Sequence, residues 1–394
     1  MKILIYLTGG MHWLGGVQYT RNLLSAISLL PISERPDIVL QIGRKNRSQG
    51  FEEEFSRHPN VKIDGPRNKN FALGYQILSL LRRVRRRLFN VDIPGKMLLS
   101  DDCVVAFPAK VPNLTGKARK VYWVPDFQYK HFPSYFPAEE CRERDVMYEK
   151  LFAEKGLLVV SSQAVKLDFH NFFPHHQHKK VRILNFTSTI DADDYNLDPV
   201  VICAEHNLPK KFIYLPNQMW QHKGFDTTFL ALAILRKQGI TPQLVCTGNL
   251  NDYRNDKFSQ EMLQLIEVNG LRKQIHMLGV LSRTTQLQLY RRAAFILQPS
   301  RFEGWSTSVE DARALGKSTL LSDISVHREQ NPNYVVFFAT GNENDLADKI
   351  GDLWARTESG PNLQREQLAR EASVARNISY ARTFMSIMAE ASKS

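Results

Sequence analysis

Short hydrophobic runs alternate with longer amphipathic stretches along most of the chain. The first run, KILIYL, precedes the stretch VQYTRNLLSAISLL, whose apolar residues recur at helical spacing, and a second run, DIVLQI, follows. This alternation is typical of βα units that build a parallel sheet. The same rhythm resumes at VVAF, KVYWV and GLLVVSS, so the pattern predicts an α/β first half.

A polar stretch at 191–200, DADDYNLDPV, interrupts this rhythm, and a second alternating series follows it. The hydrophobic runs of that series are KFIYLP, QLVCTG, KQIHMLG, AAFILQP and STLLS. The last segment, SYARTFMSIMAEASKS, has helical periodicity with no strand-like run after it. The pattern therefore predicts two α/β domains that meet near 190–205, followed by a terminal helix.

Length and composition agree with two folded domains. The chain has 394 residues, which suits two domains of about 100–200 residues each. Its four cysteines lie far apart and form no CxxC pair, so the usual zinc and dithiol motifs are excluded and a reducing compartment is favoured. With no run of about 20 apolar residues and no signal-peptide cleavage site after MKILIYLTGG, we expect a cytoplasmic protein.

The charge balance indicates an anionic partner. There are 52 Lys+Arg against 40 Asp+Glu, a formal net charge of +12, which suits nucleic acid, lipid head groups or a phosphorylated substrate. Within LSLLRRVRRRLFNV (78–91), five arginines stand among apolar residues at near-helical spacing: Arg82, Arg83, Arg85, Arg86 and Arg87. Such a basic amphipathic helix can lie on an anionic membrane surface, and a solvated helix face is the alternative.

Two loops that follow predicted strands are suited to bind phosphate. In GGMHWLGGVQY, Gly15 and Gly16 precede a helix expected near Val17, where free amides attract anions, although the spacing is not GxGxxG and a tight strand-to-helix turn is the alternative. In IYLPNQMWQHKGFD, Lys223 follows a strand and can neutralise a phosphate, unless it is an ordinary surface lysine. Both loops are candidate phosphate-binding elements.

The segment 299–323, PSRFEGWSTSVEDARALGKSTLLSD, carries the densest set of candidate groups. It places Glu303 on a loop after a strand, then a helix start rich in hydroxyl side chains, where free amides can hold a diphosphate or a sugar hydroxyl. Thr307 and Glu310 have the spacing of a capping box, so we expect Glu310 to satisfy the helix end. Glu303 and Asp311 remain as the functional pair.

These segments together resemble glycosyltransferase family 4, the retaining enzymes of GT-B fold. FEGWSTSVEDARALGK followed by LLSDISVHREQ is similar to the carboxyl-terminal signature of the family, and LYRRAAFILQPSRFEG is its most diagnostic stretch. Gly15-Gly16-Val-Gln-Tyr is similar to the diphosphate loop, Val124-Pro125-Asp126 to the mid-domain histidine motif, and His222-Lys223-Gly224 to the lysine-glycine step.

The resemblance implies a GT-B architecture of two Rossmann-like domains facing each other across a cleft. Residues 1–190 would form the acceptor-side domain, 191–375 the nucleotide-sugar-binding domain, and 376–394 a helix that packs back on the first domain. The implied reaction moves a sugar from a nucleotide-sugar to a glycan or lipid-linked saccharide in cell-surface polysaccharide assembly, with no metal or other cofactor. The protein would act in the cytoplasm, at the inner face of the membrane.

The resemblance also implies roles for individual residues. Glu303 would contact the donor sugar, Asp311 the ribose, and Lys223 the diphosphate, which the two glycines would approach from the other domain. The remaining donor-binding residues would be Gln218, Gly304, Trp305, Ser306 and Thr307. The implied catalytic groups are Glu303, Lys223, Asp126 and His131.

Three positions depart from the family pattern. Asp311 replaces the usual Glu, which shortens its reach to the ribose, and Gln218 stands where an Arg is usual, so one of two expected cations on the diphosphate is missing. Pro125 takes the place of the motif histidine while Asp126 is retained. His131, five residues further on, is a candidate substitute, and a histidine without a role in the reaction is the alternative.

Other functions are less favoured. A non-catalytic homologue that binds a glycan or a partner protein is the main alternative, and a nucleic-acid binder would lack the glycine-aromatic RNP signature. Asp191-Ala-Asp193 spells the DxD of metal-dependent transferases but lies in the expected linker. His175, His176 and His178 have no carboxylate or cysteine beside them in sequence, so we expect no metal site there.

Overall fold

The structure is a computed structural model. It describes residues 1–10, 14–43, 46, 50–64, 102–109, 118–252, 254–255 and 257–393. The arginine-rich segment with Arg82 to Arg87 lies outside the described residues, and the membrane contact predicted for it stays a prediction.

The first domain is built on a seven-stranded parallel sheet with the strand order β3-β2-β1-β4-β5-β6-β7. Its strands are β1 (Lys2–Tyr6), β2 (Asp37–Gln41), β3 (Val61–Asp64), β4 (Val105–Phe107), β5 (Arg119–Val124), β6 (Leu157–Val160) and β7 (Val181–Ile183). The order reverses between β1 and β4, which opens a crevice at the carboxyl ends of these strands. The described α-helices are α1 (Leu14–Ser28), α2 (Phe51–Phe55), α3 (Gln128–His131), α4 (Ala138–Ala153) and α5 (Gln163–Phe172).

The second domain repeats this plan with a six-stranded parallel sheet in the order β10-β9-β8-β11-β12-β13. Its strands are β8 (Ile213–Pro216), β9 (Leu244–Thr247), β10 (Ile275–Met277), β11 (Phe295–Gln298), β12 (Thr319–Ser322) and β13 (Val335–Phe338). Its described α-helices are α6 (Ala192–Asn196), α7 (Pro199–Glu205), α8 (Phe225–Lys237), α9 (Phe258–Val268), α10 (Arg283–Arg292), α11 (Thr307–Ala314), α12 (Ser325–Gln330) and α13 (Glu343–Arg356). The prediction of two Rossmann-like parallel-sheet domains is confirmed.

A last helix, α14 (Leu363–Lys393), crosses from the second domain to the first. Near its start, Glu366 accepts a hydrogen bond of 2.6 Å from Arg291 of α10. Further along, Tyr380, Phe384 and Met388 are buried in the apolar core of the first domain. The helix begins at Leu363 rather than near residue 376, because its first turns already pack on the second domain.

Candidate active site

A cavity of about 670 Å³ lies between the two domains. Its walls are formed where strands of both sheets end, by Pro125 and Asp126 after β5, Asn217 after β8, Gly248 after β9 and Glu303 after β11. Ligands of open α/β sheets bind outside the carboxyl ends of the strands, and here two such edges face each other. The volume is that of a typical small-molecule site.

Glu303 and Lys223 form an ion pair in the wall of this cavity. Lys223 Nζ lies 2.6 Å from Glu303 Oε1, and the two side chains are 15% and 10% exposed. Gly224 makes the approach possible: it has φ +68°, and an added Cβ would collide with the carbonyl oxygen of Pro299. The turn therefore needs glycine both for its backbone conformation and for space.

Two buried amides that the sequence analysis missed hold the carboxylate of Glu303. Asn217 Nδ2 donates to Gln298 Oε1 at 2.6 Å, and Gln298 Nε2 donates to Glu303 Oε1 at 3.1 Å. Because the oxygen of Gln298 accepts from Asn217, its amide nitrogen must face Glu303. Both amides lie at the carboxyl ends of strands, where ligands of parallel sheets bind, and this position was the feature of the sequence that could have identified them.

The loop after Glu303 presses against the first domain. An added Cβ on Gly304 would collide with the carbonyl oxygen of Pro125 and lie 2.9 Å from Asp126 Cβ. Trp305 Nε1 donates to the carbonyl oxygen of Phe186 at 2.9 Å. Ser306 and Thr307 complete this part of the cavity wall.

Glu310 does not form the expected capping box with Thr307. Helix α11 begins at Thr307 with Ser306 as its N-cap, and the Ser306 amide donates to Gln330 Oε1 at 3.2 Å. Gln330 Nε2 in turn donates to Glu310 Oε1 at 3.0 Å. Burial raises the pKa of Glu310, and the nearby Arg313 lowers it less than burial raises it. Gln330 from the neighbouring α12 thus satisfies the helix end, and the capping-box prediction was wrong.

Asp126 lies in the cavity wall, and His131 lies in the layer behind it. Asp126 Oδ1 accepts from the Gln128 amide at 3.0 Å. Burial raises the pKa of Asp126, the Gln128 hydrogen bond lowers it, and the charge of Glu303 adds to the rise. His131 Nε2 lies 2.9 Å from Asp168 Oδ2, and its ring packs 5.0 Å from the ring of Phe302, which lines the cavity.

Gly15 and Gly16 lie inside the first turn of α1, which begins at Leu14 rather than near Val17. Gly15 lines the cavity, and so does Gln218 from the other domain. His222 also lines it, but burial and the neighbouring cations lower its pKa well below 6.5. The imidazole of His222 is therefore neutral at neutral pH and adds no charge to the cleft.

Asp311 is held by an arginine that the sequence analysis did not single out. Arg283 donates through both terminal nitrogens, Nη1 to Oδ2 at 2.5 Å and Nη2 to Oδ1 at 2.6 Å. The hydroxyl of Ser188 donates to the same Oδ1. The Asp311 side chain is only 4% exposed.

The Asp191-Ala-Asp193 motif and the histidines at 175, 176 and 178 are not among the residues that line the cavity. Asp191 precedes α6 as its N-cap residue and Asp193 lies in its first turn, while His176 Nε2 lies 2.7 Å from Glu149 Oε2. Across the described ranges, no three His, Cys, Asp or Glu side chains come together as a metal site. Within the same ranges, no helix is long and apolar enough to cross a bilayer.

Residues 204–372 match a family model described as glycosyl transferases group 1. A glycosyltransferase from Rickettsia africae ESF-5 is similar over 99% of this chain and 98% of its own, with 18% identity and a TM-score of 0.62. HepE of Anabaena, in complex with UDP and glucose, is similar over 98% of each chain, with 14% identity and a TM-score of 0.64. A TarM variant from S. aureus, in complex with Fondaparinux, alpha-GlcNAc-glycerol and UDP, is similar over 98% of this chain and 99% of its own, with 14% identity and a TM-score of 0.61.

A comparison with curated protein sequences gave no significant match. The structural matches extend over nearly the whole chain and include both domains. The predicted GT-B fold is therefore confirmed, with two Rossmann-like domains that enclose a cleft. Residues 204–372, which supply Lys223, Glu303 and Asp311, match the model of glycosyl transferases group 1, and the chain as a whole has the fold of GT-B glycosyltransferases.

Proposed function

We propose that this protein is a retaining glycosyltransferase. It moves a sugar from a nucleotide-sugar donor to a glycan or lipid-linked saccharide in cell-surface polysaccharide assembly, at the cytoplasmic face of the membrane. The observation that carries the proposal is the Lys223–Glu303 pair, 2.6 Å apart in the wall of an interdomain cavity of about 670 Å³. The UDP and glucose bound by HepE, which has a similar fold, support a nucleotide-sugar as the donor.

In this proposal the diphosphate lies between Lys223 and the first turn of α1 at Gly15 and Gly16. A helix N-terminus offers free amides and a positive dipole end, so it adds to the charge of the lysine. Glu303 then holds hydroxyl groups of the donor sugar through charge-assisted hydrogen bonds. The other residues of the donor site are Gln218, Gly304, Trp305, Ser306 and Thr307, all of which line the cavity.

The acceptor approaches from the first domain, near Asp126. Its hydroxyl oxygen bonds to the anomeric carbon on the face that the diphosphate leaves, while the bond from that carbon to the phosphate oxygen breaks. The acceptor proton passes to the leaving phosphate oxygen. Lys223 and the helix amides stabilise the charge that develops there, so the proposed reaction needs positioning and electrostatic stabilisation and no metal ion.

Replacing either member of the ion pair tests the proposal. We expect Glu303→Gln and Lys223→Ala to lower turnover by about two to three orders of magnitude, because each removes a group that acts on the transferring sugar or the leaving charge. Thermal shifts with UDP-, GDP-, dTDP- and ADP-sugars first identify the donor, since a ligand that binds the folded state raises Tm. Transfer and donor hydrolysis are then measured with that sugar-nucleotide.

Glu343→Gln and Lys237→Ala, at positions on α13 and α8 away from the cavity, are the matched controls and should retain full turnover. Near-normal transfer by both ion-pair variants would exclude the assigned roles. Donor binding with neither transfer nor hydrolysis would instead favour the non-catalytic homologue.

A further inference from the structure

We propose that His222 is a donor-binding residue, whose imidazole donates a hydrogen bond from Nε2 to the β-phosphate of the nucleotide-sugar. This inference rests on the proposed function and adds one residue to its diphosphate site. His222 lies in the 3₁₀ turn Gln221–Lys223, so it directly precedes the lysine of the cavity wall.

The imidazole of His222 is a buried polar group for which the protein supplies no partner. The residue is 4% exposed and lines the interdomain cavity. Nδ1 is enclosed without a hydrogen-bond partner, and Nε2 forms no hydrogen bond within the described residues either. Buried polar groups of folded proteins are nearly always hydrogen-bonded, so an imidazole of this kind in a cavity wall indicates a partner that the ligand brings.

Contacts around His222 hold the ring in place. Its carbonyl oxygen accepts from the Arg301 amide at 2.7 Å, and the Lys223 amide donates to the carbonyl oxygen of Trp220 at 2.8 Å. The Trp220 ring, which also lines the cavity, lies 5.8 Å from the imidazole. Because the residue is already fixed by the protein, a hydrogen bond from it to a ligand costs little further ordering.

The charges around the ring favour one tautomer. Three cations face the imidazole, and each is paired with a carboxylate: Lys223 with Glu303, Arg254 with Asp252, and Arg301 with Asp226. Burial and these cations hold the pKa of His222 well below 6.5, so the ring is neutral and has one donor and one acceptor nitrogen. Positive charge attracts a lone pair on the enclosed Nδ1 and repels an N–H there, which leaves the proton on Nε2.

The same positive surroundings favour an anionic group as the acceptor of this N–H. In the proposed function Lys223 meets the diphosphate, while its partner Glu303 holds the donor sugar. The β-phosphate is the phosphate bonded to that sugar, so it is the one nearest to this ion pair. His222, next to Lys223 in the chain, then adds an uncharged donor to the group on which the leaving charge develops.

Two amide substitutions test the assigned nitrogen. The amide nitrogen of Gln reaches the position of Nε2 in histidine, whereas that of Asn reaches the position of Nδ1. Kd is measured by calorimetry for the nucleoside diphosphate whose base the donor screen identifies, and for its monophosphate, which lacks the β-phosphate. We expect His222→Asn to weaken the diphosphate roughly tenfold or more, because it removes a hydrogen bond to a charged group. The monophosphate should change by less than about threefold, and His222→Gln should keep both Kd values within that range.

His175→Asn is the matched control, because His175 is exposed in the first domain and does not line the cavity. It should leave both Kd values unchanged. Equal weakening of the two nucleotides by His222→Asn, or a loss in His222→Gln as large as in His222→Asn, would overturn the inference while leaving the proposed function intact. Failure of the wild-type protein to bind any of the nucleotides would overturn the proposed function itself.

The neutral state of the ring gives a second readout. A neutral donor loses no proton between pH 7 and pH 9, so the loss caused by His222→Asn should be the same at both values. A loss that disappears at pH 9 would show that a charged imidazolium binds the phosphate, and it would overturn the neutral donor.

The wild-type protein allows a test that does not depend on the stability of a variant. Its histidine rings are labelled with nitrogen-15, and the His222 signals are assigned by their absence from the spectrum of either variant. We expect Nε2 to carry the proton and its signal to move on addition of the nucleoside diphosphate but not of the monophosphate. A proton on Nδ1, or an Nε2 signal that the diphosphate leaves unchanged, would overturn the inference.

Discussion

At the scale of single residues, the charges of the cleft compensate each other within the protein. Lys223 is paired with Glu303, and Arg283 is paired with Asp311. Each of these two cations therefore has a carboxylate partner. Asp126 differs, because its carboxylate accepts a hydrogen bond from the backbone amide of Gln128 and burial raises its pKa. Keeping this carboxylate ionised therefore costs the folded state free energy.

This cost predicts how Asp126→Asn changes stability. A raised folded pKa means that the stability Asp126 contributes is fully present below pH 3.8 and is lost as pH rises through the folded value. Asn keeps the acceptor for the Gln128 amide but carries no charge. We expect a Tm higher than wild type by about 1–3 °C at pH 7, with the difference vanishing toward pH 3.5. Thermal unfolding across this pH range measures it, and a constant or inverted difference would contradict it.

The sequence identified Lys223, Glu303 and Asp311 because each belongs to a recognisable segment, yet it did not reveal what holds them. The Asn217–Gln298 hydrogen bond joins residues 81 positions apart, and Arg283 is 28 positions from Asp311. Neutral amides have no charge pattern, and their pairing depends on which strands lie side by side. Such partners become visible only once the strand order is known.

At the scale of secondary structure, the neighbouring strands β8 and β11 bring the two amides together. These strands pair in parallel, so their carboxyl ends lie at the same edge of the sheet. Gln298 is the last residue of β11 and Asn217 directly follows β8. The Asn217–Gln298–Glu303 chain is therefore a product of sheet topology, and it fixes the carboxylate relative to Lys223.

We expect Gln298→Leu to lower turnover roughly tenfold or more, because it removes a hydrogen bond to a charged group and leaves a buried amide of Asn217 without its acceptor.

Gln298→Glu has a more specific effect. It places a second carboxylate beside Glu303, which raises the apparent pKa of the pair and moves the acid limb of the pH–turnover profile to higher pH. Gln238→Glu, on the exposed end of α8, is the matched control. Unchanged profiles for both Gln298 variants would show that Glu303 is held without the amide chain.

The hydrophobic pattern predicted some of the β-strands and missed others. Buried central strands such as β1 and β11 follow from their unbroken hydrophobic runs. The three strands that the pattern did not single out, β3, β7 and β13, all lie at sheet edges. Charged residues enter β3 and β7, and most of β13 is half-exposed, so burial constrains these sequences less. Hydrophobic periodicity therefore predicts the central strands of each sheet better than its edge strands.

At the scale of the whole molecule, contacts between the domains surround the cavity. Glu329 of α12 accepts from the amides of Gln163 and Ala164 at the start of α5, at 2.9 and 3.3 Å. Arg254 Nη1 donates to Gln128 Oε1 at 3.1 Å. Together with the hydrogen bond from Trp305 to the Phe186 carbonyl oxygen, these contacts hold the two domains close together where the carboxyl ends of their strands face each other. The cavity lies between these contacts, and residues of both domains form its wall.

The tightest of these approaches is at Gly304, where an added Cβ collides with the Pro125 carbonyl oxygen and lies 2.9 Å from Asp126 Cβ. Both neighbours are in the first domain, so Gly304→Ala forces the domains apart while Lys223 and Glu303 keep their pairing within the second. We expect turnover to fall by roughly two orders of magnitude with nucleotide Kd changed little, because misplacing an acceptor by about 1 Å is that costly. Small-angle scattering should show a larger radius of gyration. Gly43→Ala, whose Cβ meets nothing within 4 Å, is the control. Full turnover by Gly304→Ala would mean that the reaction does not require this close approach of the domains.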